Sequence, residues 1–483
     1  MESSSDPASR RLLSAEGNPF RQDPIEAEAG FVEGSPIGEV ETDAVEDEEA
    51  LARAKILQSA KESYNTIDYY AFLFTGLAML WPWNCFLSAA AYFQDRFAAN
   101  VFLSENFTSA MMTTSTITAT VAMLVLSRQQ LHADYEYRIW LAFIIMIVDF
   151  SILAIASLTG ESWSLGLYFV YLLVSVFFSA LATALSQNGA FAIANLFSPV
   201  YTQAIMVGQA VSGVLPSIAQ IITVVSVESS DTTGMGQSSS LSSFVYFLAA
   251  VAVAVVALFF VLAFYKRHKA VINHGIGSRH EASSSYSVSV ADSEDQAMPV
   301  RKYISLLTLF RKLHYSAFAV FFAFAVTLLF PVFASTTLSV NYVEGVSSPN
   351  SLFRPNVFIP IAILIWNIGD LVGRLICGFP QFVTVSQRKL AMLSLSRLAF
   401  IPIFFFFNIN GTHAVIRSDF VYLFTQLLFG ITNGYVGSCG MMNAELYVLD
   451  EEKEATGGFM ALSLNLGLTA GSLASFVLVA LIE

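Results

Sequence analysis

The chain has 483 residues, of which 55% are hydrophobic and 13% charged, with 42 Phe and a formal charge of −13. A soluble chain carries about 25% charged residues, so a soluble enzyme, a disulfide scaffold and a basic nucleic-acid binder are excluded. Residues 1–50 hold 14 Asp and Glu against three Arg, a net −11, which leaves −2 for the other 433 positions. Residues 1–65 lack sustained apolar periodicity and are rich in Ser, Glu, Asp, Gly and Pro, so they read as a disordered, acidic cytosolic tail. No apolar stretch follows its basic residues, so no secretory signal is read there. Leu12–Leu13 has the form of a dileucine sorting signal, with Asp6 too far upstream for the usual acidic spacing.

From Tyr69 onward the chain reads as membrane spans, each of ~20 mostly apolar residues. Eleven are predicted: 69–93, 107–127, 138–159, 164–195, 200–227, 241–265, 314–341, 355–379, 389–409, 419–444 and 455–482. The charge-free stretch Ser162–Val227 is too long for one span, and Ser198-Pro199 marks its break. Alternation with period two is absent, which excludes a transmembrane barrel. The fold class is an all-α polytopic membrane protein. A flexible cytosolic loop, 266–313, divides it into a six-helix half, 66–265, and a five-helix half, 314–483, an arrangement that suits a transporter. With the N-terminus in the cytosol, 19 of the 24 Lys and Arg fall on the cytosolic side, three on the other and two inside spans. Two glycosylation sequons, at Asn106 and Asn410, fall on the far side, although Asn106 lies close to span two.

Ionisable residues inside spans are functional pointers, because an Arg at a helix centre costs about 2.5–3.5 kcal/mol. They are Asp149, Asp370, Arg374 and Arg397. Asp370 and Arg374, four apart, share a helix face and offset each other's charge. Asn367, three before Asp370, joins that face, and Gly369 with Gly373 forms a small-xxx-small pair. Two readings stand for this set: an internal ion pair that fixes packing, or a polar ligand site facing the bundle centre. The third polar group favours the second. Span one holds Leu80-Trp81-Pro82-Trp83-Asn84, where Pro82 predicts a kink. A Trp beside it either stacks on a flat ligand or belongs to an interfacial belt. Span four places Gln187-Asn188 in an apolar stretch, where the Gln carboxamide suits a base edge or an interhelical bond. Span five carries Gln203, Gly208, Gln209 and Gly213, read mainly as helix packing. Asp149 has no evident partner. Arg397 is expected to snorkel to the interface or to make a gate contact.

The chain has no Gly-Lys pair, hence no P-loop, and no Gly-x-Ser-x-Gly elbow. Cys85, Cys377 and Cys439 sit in separate apolar runs without a CxxC and read as buried small hydrophobes. The six His lie between or at the ends of apolar runs, which argues against an intramembrane metalloprotease. No metal or cofactor is expected.

Taken together, these segments resemble the equilibrative nucleoside transporter family. The resemblance rests on Pro82-Trp83-Asn84 and on Pro199-Val-Tyr201-Thr-Gln-Ala-Ile-Met206-Val-Gly-Gln209. It rests further on Asn367-x2-Asp370-x3-Arg374, Arg397-x2-Phe400-x-Pro402 and Asn433-Gly434-Tyr435, in the family's order. It implies a major-facilitator-like fold of eleven helices and alternating access around one central site. Carried over, Trp83 contacts the nucleoside, Gln187 binds the base edge, Asp370 with Arg374 holds the ribose hydroxyls, and Asn367 supports them. Arg397, Asp149 and Asn433 take gating or structural roles. Asn188 stands where the family has a small residue, so a different base preference is expected. The function read is facilitative transport of nucleosides, and of nucleobases, by a monomer in the lipid bilayer, not an enzyme. The alternatives are a proton-coupled version, with Asp149 or Asp370 titrating, and a multi-span receptor or scaffold. The tail tilts the location from the plasma membrane toward a vacuolar or lysosomal one.

Overall fold

A computed structural model of the chain describes residues 37–61, 64–131, 133–159, 162–228, 235–275, 303–342, 351–411 and 414–482. The chain divides into two units, Met1–Asp47 and Glu48–Glu483. In the first, residues 37–47 are described and form the start of helix α1 (Ile37–Lys61). The reading of 1–65 as an irregular tail therefore fails for 37–61; residues 1–36, with Leu12–Leu13, lie outside the described residues. The order of charge explains the helix. Its acids precede Arg53, Lys55 and Lys61, as the helix dipole favours.

The second unit is a helical bundle. Nine of its described helical segments are long and apolar enough to cross a membrane. They belong to α2 (Thr66–Ser88), α4 (Val101–Arg128), α5 (Tyr135–Thr159), α6 (Leu165–Phe197), α7 (Pro199–Glu228), α8 (Met235–Gly275), α9 (Leu306–Thr327) continued by α10 (Phe330–Thr336), α11 (Pro355–Ile376) and α15 (Lys453–Ile482). A short α3 (Ala90–Phe97) follows α2. The other two predicted spans differ. Span nine is broken into α12 (Gln387–Ser396), a 3-10 turn at Arg397–Ala399 and α13 (Phe400–Phe404). Pro402 accounts for this, since its ring excludes a helical bond to the carbonyl four residues earlier. Span ten is α14 (Asp419–Asn443), long enough but rich in Gly and amides, and it is not among the nine. The predicted break holds: α6 ends at Phe197 and α7 starts with Pro199, whose missing N–H is harmless at a first helical position. Helix α8 runs on to Gly275, beyond the predicted end of span six, and residues 276–302 lie outside the described residues.

Within each half, helices meet through glycines. A Cβ at Gly76 would strike the Ile205 carbonyl, and one at Gly208 the Leu73 carbonyl, so α2 and α7 are in close contact. The contacts Tyr69–Gln203 and Asn84–Ser212 ascend both helices, so they run parallel. Gly467 and Gly471 set α15 against the Phe321 and Ala325 carbonyls of α9 in the same way. The pair with most glycines in its seam is α11 with α14, where Gly369 and Gly373 face Leu427 and Ile431 while Gly430 and Gly434 face Trp366 and Asp370. Cys377 and Cys439 follow this seam, and their thiols lie 3.3 Å apart. Many of the Phe fill two aromatic cores, one around Phe86, Phe150 and Phe247, the other around Phe333, Phe404 and Phe429. Outward faces are apolar, as with Val148, Ile152 and Ile155 on α5, which suits lipid contact.

From Glu48 on, α1 seats on the C-terminal half. Ala52 and Ile56, four apart, are buried among Val383, Leu390, Val436 and Met442. Arg53 donates to the Val383 carbonyl at 2.7 Å and Lys55 to the Leu446 carbonyl at 3.2 Å.

Candidate functional site

Helix α11 carries the centre of the polar network. Asp370 and Arg374 are both 4% exposed, and the Arg374 Nε donates to Asp370 Oδ2 at 2.8 Å. The i,i+4 spacing thus forms the expected pair. The second Asp370 oxygen accepts from Asn433 Nδ2 of α14 at 2.6 Å. Asn433 reaches this position because Gly430 and Gly434, flanking it, let α14 approach α11 at backbone distance. Thr327 of α9 donates to Asn433 Oδ1 at 2.6 Å, and Arg397 Nη2 donates to Thr327 Oγ1 at 3.2 Å.

Arg397 is 0% exposed, so the expected snorkelling does not occur. The 3-10 turn at Arg397–Ala399 directs its guanidinium inward, where it donates to the Ala323 carbonyl and lies 4.7 Å over the Phe429 ring. Its Nε has no hydrogen-bond partner among the described residues. Two guanidinium groups thus share one hydrogen-bonded chain with a single carboxylate, Arg374 directly and Arg397 through Thr327 and Asn433, and the network has a surplus of donors.

Helix α7 closes the network from the other half. Arg374 Nη1 donates to the Met206 carbonyl at 2.7 Å and to Gln209 Oε1 at 3.2 Å. Gln203 Nε2 donates to the Arg374 carbonyl at 3.2 Å. Asn367 Nδ2 donates to Ser217 Oγ at 3.0 Å, and its Oδ1 occupies the space that Gly213 leaves by lacking a Cβ. The contacts Gln203–Arg374 and Ser217–Asn367 ascend α7 while descending α11, so the two helices are antiparallel. The glycines of span five pack as expected, but Gln203 and Gln209 do more than pack: both bind the arginine of the opposite half. Asn367 supports the cross-half contact, not Asp370 itself.

Gln209 Nε2 also donates to Met79 Sδ of α2 at 3.7 Å, which links the network to the turn before Pro82. The helix continues through Pro82, and Asn84 Nδ2 donates to the Leu80 carbonyl and to Ser212 Oγ of α7. Trp81 packs in the aromatic core of the N-terminal half, whereas Trp83 is half-buried and stands outside both aromatic cores. Gln187, 2% exposed, is held elsewhere: its Oε1 accepts from Asn465 Nδ2 of α15 at 2.9 Å. One turn further along α15, Thr469 bonds Thr120 of α4 at 2.6 Å. Asn188 turns away, accepting from Arg138 Nη1. That pairing explains an amide at this position and takes Asn188 out of reach of the ligand Gln187 would read.

Asp149 lies apart, on α5 beside Ser175 of α6, with its Oδ2 buried and without a hydrogen-bond partner among the described residues. Asn106 is exposed in the second turn of α4, and its amide donates to the Phe102 carbonyl. Asn410 is exposed in a turn with φ 52°, and Thr412 of its sequon lies outside the described residues. Sequence reasoning missed Thr327 and Asn465. The available signal was a lone polar side chain inside an apolar span.

The sequence model of the Nucleoside transporter family matches residues 173–480. Nucleoside transporter FUN26 of Saccharomyces cerevisiae is 31% identical over 459 residues, covering 88% of this chain and 86% of its own. Human equilibrative nucleoside transporter 1 is 26% identical, covering 85% of this chain and 96% of its own. The crystal structure of the human organic anion transporter MFSD10 matches at a TM-score of 0.53 and 13% identity, covering 87% of this chain and 96% of that one. This last likeness concerns the fold alone. The chain belongs to the nucleoside transporter family, alongside the equilibrative nucleoside transporters.

Proposed function

We propose that this protein carries nucleosides across a membrane by facilitated diffusion, exposing one central site alternately to the two sides. The observation that carries the reading is Arg374. Its guanidinium is anchored to Asp370 in one half and hydrogen-bonded to Met206 and Gln209 in the other. A vicinal diol has two hydroxyls that both donate and accept, so it can give to the Asp370 carboxylate and receive from Arg374. The donor surplus around Arg397 favours such a neutral, oxygen-rich ligand. Trp83 supplies a half-buried ring for the flat base, Gln187 reads its edge, and Asn367 sets the spacing between the halves. Because the network spans both halves, a ligand that takes over some of its bonds weakens the join, which is how binding is coupled to rocking.

The test is influx of labelled uridine and adenosine into vesicles containing the purified protein. Saturable influx in both directions without an imposed ion gradient is expected, with background influx in Asp370→Ala and Trp83→Ala. No influx in the parent protein would sink the function, and full influx in both variants would sink the site.

Asp149 favours one second reading, proton coupling, since a carboxylate oxygen with no hydrogen-bond partner among the described residues sits within a span. Influx that rises with an imposed pH gradient, and loses that dependence in Asp149→Asn, supports it. For sidedness, the distribution of basic residues favours a cytosolic N-terminus. Glycosidase-sensitive mobility at Asn410 or Asn106 tests this, and a fluorescent fusion with and without residues 1–50 distinguishes a vacuolar or lysosomal membrane from the plasma membrane. The protein acts as a monomer in this reading.

A further inference from the structure

Asn465 Nδ2 donates to two oxygens, Gln187 Oε1 at 2.9 Å and the Ala461 carbonyl at 2.8 Å. The second partner settles the first. A backbone carbonyl only accepts, so the Asn465 atom facing it is the amide nitrogen. That nitrogen, with both protons committed, only donates, so the Gln187 atom facing it is the oxygen. The Gln187 amide nitrogen then points the other way, and it donates to no described residue. The two side chains are 2% and 5% exposed, so water does not compete for the bond.

We infer that Asn465 is a specificity-determining residue that fixes the hydrogen-bonding polarity of Gln187, so that Gln187 offers the base two donors and no acceptor. The inference rests on the reading of Gln187 as the reader of the base edge. A donor-only reader favours a base with an exocyclic oxygen over one with an exocyclic amine at the same position. Uridine is preferred over cytidine on this account, and inosine over adenosine. The pairs are otherwise of nearly equal size and shape, so the preference reads hydrogen-bond polarity and little else. The discrimination is about 3- to 10-fold, the worth of one hydrogen bond made or left unmade in a buried site.

The parent protein in vesicles gives the first test, through inhibition of labelled uridine influx by each of the four nucleosides. Equal inhibition by both members of each pair overturns the proposal without any variant. Asn465→Leu leaves Gln187 free to turn its amide, so the oxo-to-amino ratio is expected to fall toward one while uridine influx persists. Asn465→Asp offers an acceptor, which turns the Gln187 oxygen toward the ligand and moves the ratio below one. A parental ratio in both variants overturns the role of Asn465. Gln187→Ala distinguishes the underlying reading: if it keeps the parental ratio, Gln187 does not face the base, whatever Asn465 does.

Discussion

Two kinds of helix seam run through this bundle. Inside a half, the α11–α14 seam is backbone against glycine: Gly369, Gly373, Gly430 and Gly434 each face a carbonyl with no room for a methyl group. Between halves, the α7–α11 seam is side chain against side chain or carbonyl, as with Asn367–Ser217 and Arg374–Gln209. A cross-half glycine such as Gly213 or Gly458 faces an amide side chain, Asn367 or Asn188. Gly457, against the Phe191 carbonyl, is the exception. A seam of the first kind resists any sliding, because interlocked backbones cannot move by fractions of an ångström. A seam of the second kind opens by rotamer change and exchange of hydrogen bonds. The contrast assigns rigidity to the halves and movement to the join.

The largest expected effect tests the rigid seam. Gly373→Val forces the α14 backbone away, at a cost above the 1–3 kcal/mol usual for overpacking. Size-exclusion chromatography of the detergent-extracted variant is expected to show no monodisperse protein. A folded variant with parental melting would show that the seam yields.

Next is the buried pair at the join. Asp370→Ala strands Arg374, with a loss of about 3–5 kcal/mol in stability and no influx. Combining Asp370→Leu with Arg374→Met removes both charges and is expected to recover melting temperature but not influx. Recovery of influx as well would make the pair a packing device only. A smaller effect follows at Asn367→Ala, which deletes one cross-half bond worth about 1 kcal/mol. Nucleoside exchange is expected to change about 5-fold, with melting near the parental value; a melting loss as deep as that of Asp370→Ala would place Asn367 in the rigid class. Thr120→Val removes the partly buried Thr469 bond between α4 and α15, worth about 0.5 kcal/mol, for roughly a two-fold change in exchange. An effect greater than that of Asn367→Ala would invert the ranking.

The sequence was informative where a function is local. Asp370 and Arg374 share a face at any position in any bundle, and Ser198-Pro199 breaks a helix wherever it occurs. It was silent where the partner is chosen by tertiary packing. Arg397 could turn to lipid or to α9, and only the 3-10 turn before Pro402 decides. Asn465 is one amide in a long apolar span until α15 is set against α6. Cys377 and Cys439, 62 residues apart, looked unrelated, yet that offset is the register at which α11 and α14 lie side by side. Helix α1 was missed because its apolar stripe is only Ala52 and Ile56, too narrow to register as periodicity.

That narrow stripe has a mechanical corollary. Helix α1 is continuous with the N-terminal half through the chain, yet from Glu48 on it rests on the C-terminal half. Five Cα steps separate Lys61 from Thr66, at most roughly 18 Å in any conformation. While Ala52 and Ile56 stay seated, this short leash limits how far the two halves can part at that end of the molecule, and the limit is set by chain length alone.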